Sequence, residues 1–448
     1  MAITIEQSPT SPNMANANLV YQVSSNQTSQ AQFQYVLDVQ DANRTVLQRI
    51  KQQPNPAGVG VVDVGQIITN CRDIDTPWKA APFATASNAA KSFWVAFGEE
   101  YGTSTSSSIT LYNGSGVAGA PAKSGSAPAI LLNGLVEPNS GDWNWSSASY
   151  YDLTTVSTAA TFSYQNTLTY APTTQNIQDG EYATISFING NFNNSTTAAQ
   201  DIFSVRIRSY NATGSLLDDI DLTNLVSNGG GPRANGTQVW SSVAANQTTG
   251  TRLLTVGVGP QNLADNGDTL NANWAYYIVQ PVGQQSAGVP NYSGTYATLR
   301  FNKQDPQCVS DGVRFAWKNE FGVWDYYTAR LAINSGVQIE RNAYQQSFVN
   351  FSNGSSTLPY NISRRGSEQF QNKLNQSFNV TTDILDQATA EWLRELFFST
   401  QVYVQENTSF IPVVISNAEV VEKTNPRSQK TFQYAFDYQY ANQLRARV

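Results

Sequence analysis

The chain has 448 residues, 40% of them hydrophobic and only 13% charged, with 33 acidic residues against 26 basic ones and no histidine. Its length allows roughly two to four domains with sizeable cores, and its net charge of −7 opposes polyanions, so nucleic acid is excluded as a main partner. The missing imidazole excludes Ser-His-Asp and Cys-His catalysis, His-ligated zinc and His-based proton transfer.

The first dozen residues, polar and holding Pro9 and Pro12, read as an arm that becomes ordered on a partner. Phe33, Tyr35, Leu37 and Val39 recur at period two, the mark of a half-buried strand. Turn residues at 41–44 and a return over 45–50 make a hairpin. Residues 91–97 and 108–112 also alternate, and the Gly-, Ala- and Ser-rich stretch 114–127 reads as a linker or exposed loop. A further strand is expected over 182–188.

A second hairpin follows at 203–209, 211–214 and 216–220, where Phe203, Ala212, Leu217 and Ile220 take the places of Phe33, Ala42, Leu47 and Ile50. Two related sandwich domains explain the match, and so do two unrelated hairpins of similar length. Residues 227–236, around Gly229-Gly230-Gly231-Pro232, form another loop, and 297–301 and 313–317 read as strands. Over 383–400 the period changes. Leu385, Ala388, Trp392, Leu393, Leu396 and Phe397 fall on one helical face and Gln387, Glu391, Arg394 and Glu395 on the other, with Thr382 or Asp383 as N-cap. Strands return at 402–404, 411–415 and 432–440.

The fold expected is therefore mainly β: multidomain antiparallel sandwiches or barrels, with one clear helix (about 383–400) in the C-terminal β-domain. The divisions are 1–120, the N-terminal arm plus a sandwich; 121–155, a linker; 156–300, a second sandwich; and 301–448, the C-terminal β-domain.

Chemistry finds little to work with. Cys71 and Cys308 belong to no C-x-x-C spacing, which leaves two buried thiols or one long-range disulfide. No secretory signal opens the chain, and no stretch approaches the ~18 apolar residues of a membrane span. Its many N-x-[ST] matches follow from a composition rich in Asn, Ser and Thr. Asp218, Asp219 and Asp221 lack the calcium-loop pattern and read as a solvated strand edge, and residues 265–268 as a turn. The neighbouring carboxylates Glu99/Glu100, Asp179/Glu181 and Glu391/Glu395 are the pairs that could serve a glycosidase. Gly58-Val59-Gly60 and Gly257-Val258-Gly259 have no following helix in this reading, so they are turns or bulges rather than phosphate loops. No catalytic, cofactor-binding or metal residue is assigned. Trp143, Trp145, Tyr150 and Tyr151 crowd a polar stretch and are the candidate glycan or subunit contact, against packing of the loop under its own side chains.

Three stretches resemble tail-associated structural proteins of tailed bacteriophages. They are Arg314-Phe315-Ala316-Trp317-Lys318-Asn319-Glu320-Phe321-Gly322-Val323-Trp324-Asp325-Tyr326-Tyr327-Thr328; the helix Glu391-Trp392-Leu393-Arg394-Glu395-Leu396-Phe397-Phe398-Ser399 running into Val402-Tyr403-Val404; and the close from Ile411 through Glu422-Lys423-Thr424-Asn425 to Asn442. A weaker likeness covers 19–25, 33–39 and 95–101, while about 105–300 matches nothing. The resemblance implies a non-enzymatic virion component, made in the host cytoplasm without a signal peptide. It would form a symmetric ring at the distal tail or baseplate, in contact with copies of itself and other tail proteins. No nucleic acid, membrane insertion or cofactor is expected. The rival readings are an adhesin that binds host surface glycan and a carboxylate-dependent glycan depolymerase. Amide and hydroxyl side chains suit assembly, because they satisfy hydrogen bonds at contacts without burying charge.

Overall fold

The computed structural model describes residues 3–9, 13–14, 18–41, 45–70, 76–77, 84–85, 90–102, 110–112, 129–132, 167–188, 202–224, 253–286, 289–290, 298–304, 312–345, 366–416, 432–442 and 444–447. The fold is mainly β, with several antiparallel sheets. The chain divides into two compact units. One holds Met1–Asp305, Trp317–Tyr326 and Arg394–Thr400; the other holds Pro306–Ala316, Tyr327–Leu393 and Gln401–Val448.

The first unit opens with β1 (Ile3–Gln7), β2 (Asn13–Met14), β3 (Val20–Ser25), β4 (Gln34–Gln40), β5 (Val46–Gln52), β6 (Val59–Asp63), α1 (Gly65–Asn70), β7 (Ala84–Thr85), β8 (Ala90–Glu100), β9 (Thr110–Tyr112) and β10 (Ala129–Leu132). All of the strands but β7 form the sheets β1-β3-β6 and β2-β10-β8-β4-β5, with β9 beside β8. Tyr21 and Val23 of one sheet meet Tyr35, Leu37, Val39, Phe93 and Phe97 of the other in a single core, which makes a sandwich. Tyr35, Leu37 and Val39 lie two apart and so reach that core together. The expectation of an arm ordered only by a partner is overturned for residues 3–7. β1 pairs antiparallel with β3 of its own chain, from Ile3 opposite Ser25 to Gln7 opposite Gln22, and Ile3 is buried. Ile3 and Ile5 carry a strand period, obscured by the prolines that follow.

The chain then builds β11 (Thr174–Ile177), β12 (Thr184–Ile188), β13 (Ile202–Tyr210), β14 (Leu216–Thr223), β15 (Leu253–Gly257), α2 (Pro260–Asp265), β16 (Tyr276–Ser286), β17 (Val289–Pro290) and β18 (Leu299–Lys303). The sheets are β11-β18-β16-β13-β14, with β17 beside β16, and β12-β15-β7. Ile185, Phe187 and Val256 pack against Val205, Ile207, Tyr277 and Phe301 between them.

This second sandwich repeats the order of the first. β11 stands for β2, β12 for β3, the hairpin β13–β14 for β4–β5, β15 for β6, α2 for α1, and β16, β17 and β18 for β8, β9 and β10. Even the parallel outer pairs, β10 with β2 and β18 with β11, correspond. Both hairpins shift register at the same place, before Gln40 opposite Val46 in one and before Tyr210 opposite Leu216 in the other. Both turns close alike: Asp41 Oδ1 accepts from Thr45 N at 2.7 Å, and Asn211 Oδ1 from Ser215 N at 2.8 Å. Of the two explanations for the matching hairpins, the structure supports related sandwiches.

The helix α2 corrects the reading of Gly257-Val258-Gly259 as having no helix after it. Gly259 is the N-cap and Pro260 opens the helix. A Cβ on Gly259 would lie 2.4 Å from the Ala183 nitrogen, so the close approach of this turn to the strand entry requires glycine. Asn262 Oδ1 ties the corner by accepting from Ala183 N at 2.9 Å and Gly259 N at 3.2 Å. Six residues are too few to display a helical period, which is why α1 and α2 escape the sequence.

The second unit is built from β19 (Val313–Lys318), β20 (Trp324–Ala329), β21 (Ala332–Gln345), β22 (Ser367–Thr381), α3 (Gln387–Phe398), β23 (Val402–Glu406), β24 (Ser409–Ile415), β25 (Ala435–Tyr440) and β26 (Leu444–Arg447). The tip of the β19–β20 hairpin and the end of α3 from Arg394 onward are counted with the first unit. The sheet order is β20-β19-β23-β24-β25-β22-β21, with β26 beside β22. Phe315 packs on Phe436 and Tyr438 at 5.3 and 5.4 Å between ring centres, and Phe378 stacks on Tyr438 at 4.9 Å.

Helix α3 is present but begins at Gln387, four residues after the expected start, and neither Thr382 nor Asp383 caps it. Thr382 is fully buried in a bridge to the last third of the unit: its N–H donates to Tyr434 O at 2.8 Å and its Oγ1 accepts from Tyr434 N at 3.0 Å. Leu385 bridges Phe432 in extended backbone. The cap is Asp386, whose Oδ1 accepts from Thr389 N at 2.9 Å. Burial of Ala390, Trp392, Leu393 and Leu396 follows the expected stripe.

Candidate functional site

Trp143, Trp145, Tyr150 and Tyr151 lie outside the described residues, as do Cys71 and Cys308. Five of the six carboxylates paired in the sequence have a partner that can be named. Glu99 is buried and accepts from Ser25 Oγ at 2.8 Å, while Glu100 pairs with Lys51 at 2.6 Å. Asp179 accepts from the Trp274 indole at 2.8 Å and from Lys303 at 2.7 Å; Glu181 accepts from the backbone N–H of Gln178. Glu391 accepts from Gln387 along the exposed side of α3. Among the described residues no group of three or more Cys, Asp or Glu is arranged to hold a metal ion.

Asp218, Asp219 and Asp221 sit on β14, at the outer edge of its sheet, as the sequence indicates. Asp218 accepts from Ser209 and from Asn271 N. Asp219 is clamped by Nε and one terminal nitrogen of Arg206, and that hydrogen bonding holds its carboxyl below the usual range.

Two arrangements went unread in the sequence. The first is on the outer face of β13, β16 and β18, where the Arg300 guanidinium lies 3.8 Å above the Tyr276 ring, and that ring stacks on Tyr210 at 5.0 Å and 14°. Arg300 is exposed at the top of this stack and is braced by its Nε donating to Asn302 at 2.8 Å. Such a flat, stacked guanidinium can engage a carboxylate. The signal was the polar half of the same alternation that revealed the core: Arg206, Arg208 and Tyr210 share one face of β13.

The second is the ribbon β21–β22, which pairs from Ala332 opposite Thr381 to Gln345 opposite Ser367, skipping Phe370. Its two faces differ. Ile333, Val337, Ile339, Leu374, Phe378 and Val380 share one; Asn334, Gly336, Gln338, Glu340, Lys373, Asn375 and Asn379 share the other. Toward its distal end the ribbon carries large apolar groups in water: Val337 is 57% exposed, Ile339 47%, Tyr344 45% and Phe370 47%. The outer edge of β22 is covered by β25 along 377–381 and by β26 along 371–374. β21 ends the sheet order and has no strand on its outer edge among the described residues. No long strand was predicted here, because amide-rich residues of modest hydrophobicity mute the period.

No protein-family model matches the chain, and no curated protein matches it.

Proposed function

We propose that the chain is a non-enzymatic structural component of a bacteriophage virion tail, forming a symmetric ring at the distal tail or baseplate with copies of itself and other tail proteins. The observation that carries this reading is the β21–β22 ribbon, a long two-stranded element whose exposed apolar side chains, and whose outer edge with no strand beside it among the described residues, contribute little to the fold of their own chain. Such surfaces are costly in a lone protein and are retained where another chain covers them. The duplicated sandwich supports it by supplying a repeated rigid scaffold. So does the resemblance, whose first segment falls on the β19–β20 hairpin and whose second falls on α3 and β23. Mass spectrometry of purified particles tests the reading: the chain should be present at a copy number that is a multiple of three or six. Its presence only in infected-cell lysate overturns it.

A second reading is favoured by one observation. The stack of Arg300, Tyr276 and Tyr210 suits an acidic glycan, as a host-binding adhesin would need. A glycan array decides: binding of uronic-acid or sialic-acid glycans that disappears in Arg300→Ala supports an adhesin, and an empty array removes it.

A further inference from the structure

We infer that the outer edge of β21 is a docking strand for a second copy of the same chain, paired antiparallel about a two-fold axis at Gln338. This deepens the assembly reading and rests on it for the biological use of the contact.

β21 is long, ends its sheet, and is uncovered on its outer edge among the described residues. Half of its backbone N–H and C=O groups therefore point outward, a template for strand addition. Edge strands that must stay single are blunted by lysines, prolines or bulges. None of these lies on β21. From Ala332 to Ile339 it holds no charged residue, and the register shift that does occur belongs to β22 at Phe370. The edge is thus open by composition and, among the described residues, by position.

The sequence of β21 also selects its partner. Side chains alternate between faces, so a copy must enter with odd positions opposite odd ones, or the apolar row of one strand would continue as the polar row of the other. Among those registers, centring on Glu340 or Arg341 sets like charges directly opposite each other, which is unfavourable. Centring on Ile339 sets Val337 opposite Arg341, and centring on Val337 sets Ile333 opposite Arg341. Centring on Gln338 sets Val337 opposite Ile339 twice and Ile333 opposite Ala343 on one face. On the other face it sets Asn334 opposite Asn342, Gln338 opposite itself, and Glu340 opposite Gly336, where the absent side chain leaves room. Arg341 falls opposite the small Ser335. Of the registers compared, this one matches the strand to itself best in size, polarity and charge.

The contact is isologous, so each copy gives and receives the same strand, the contact closes at two copies, and it is additional to whatever interface closes a ring. Two other strands that end their sheet among the described residues are less suited. β14 presents Asp218, Asp219 and Asp221 against the single Arg341 of β21, and β5 presents Arg49 and Lys51 against its single Glu340.

Cysteine cross-linking of the full-length chain reads the register directly. Residues facing themselves across a strand pair lie within disulfide reach in either kind of antiparallel pair. Under mild oxidation Gln338→Cys should give a covalent dimer in high yield, and so should the double variant N334C/N342C. Asn334→Cys alone, with the same two native cysteines as background, should stay at the wild-type level. A second measurement guards against misfolded variants. In sedimentation equilibrium, Val337→Lys should raise the monomer–dimer dissociation constant by about tenfold or more. Adding Ile339→Glu to it should restore dimerisation, since the introduced ammonium of each copy then faces the introduced carboxylate of the other. A wild-type chain that stays monomeric at high concentration, or equal cross-linking at 334 and 338, overturns the proposal. Those outcomes leave the assembly reading standing if the chain is still found in particles. Its absence from particles removes that reading even where the dimer forms.

Discussion

Single side chains hold the corners of this protein, and their loss should be felt more than that of most core apolar groups. Asn319 is fully buried; its amide donates to Leu168 O at 2.8 Å while its Oδ1 accepts from Phe321 N at 3.0 Å and Val323 N at 3.2 Å. Asn319→Ala orphans three buried backbone groups, so a loss of about 3 kcal/mol or more is expected in urea unfolding. Gly259→Ala should likewise destabilise by at least about 2 kcal/mol, because the obstruction is backbone and cannot swing aside. The pH response follows from which groups titrate. With no histidine, no side chain has an unperturbed pKa between about 4.3 and 8.5, and stability should be nearly flat from about pH 6 to 8. At alkaline pH the tyrosines govern. Burial and the carboxylate of Glu406 push Tyr440 up to about 12, and burial raises Tyr438 and Tyr327 as well. Since the folded pKa lies above the unfolded one, this stabilisation is complete below about pH 10 and is lost as pH rises toward 12. Tyrosinate absorbance and circular dichroism followed together should show ionisation and unfolding in that window as one event.

At the scale of elements, α3 shows how position changes the meaning of a residue type. Asp386→Ala removes the N-cap and should cost about 1 kcal/mol. Thr382→Ala, at a position that resembles a cap in sequence, breaks a buried bridge to Tyr434 and should cost about 1–3 kcal/mol. Thermal denaturation of the two variants ranks them. Strong local period was legible: the strands at 33–39, 91–97 and 313–317 and the apolar stripe of α3 all appear where alternation places them. Elements fixed by distant partners were not. β1 depends on β3, α2 on a corner made with Ala183, and the start of α3 on Phe432 and Tyr434, none of which is near in sequence. The Arg300 stack joins three strands, and only its part on β13 shows in the local alternation.

For the whole molecule the organising fact is a sandwich built twice. Topology, register shift and turn chemistry are kept, while side chains have diverged: Asp38 and Arg49 correspond to Arg208 and Asp219, with the charges exchanged. Backbone geometry is set by alternation and turn residues, which tolerate such exchange; identity matching therefore shows only a few of the shared positions. The proposal that the chain works by contact with other chains rests on the repeated sandwiches and on the ribbon, whose outer edge is uncovered among the described residues. Electron microscopy of purified particles with this chain labelled tests it most directly. Label should lie in a ring at the distal end of the tail and be present in every particle. Particles that are complete and carry no label would contradict it.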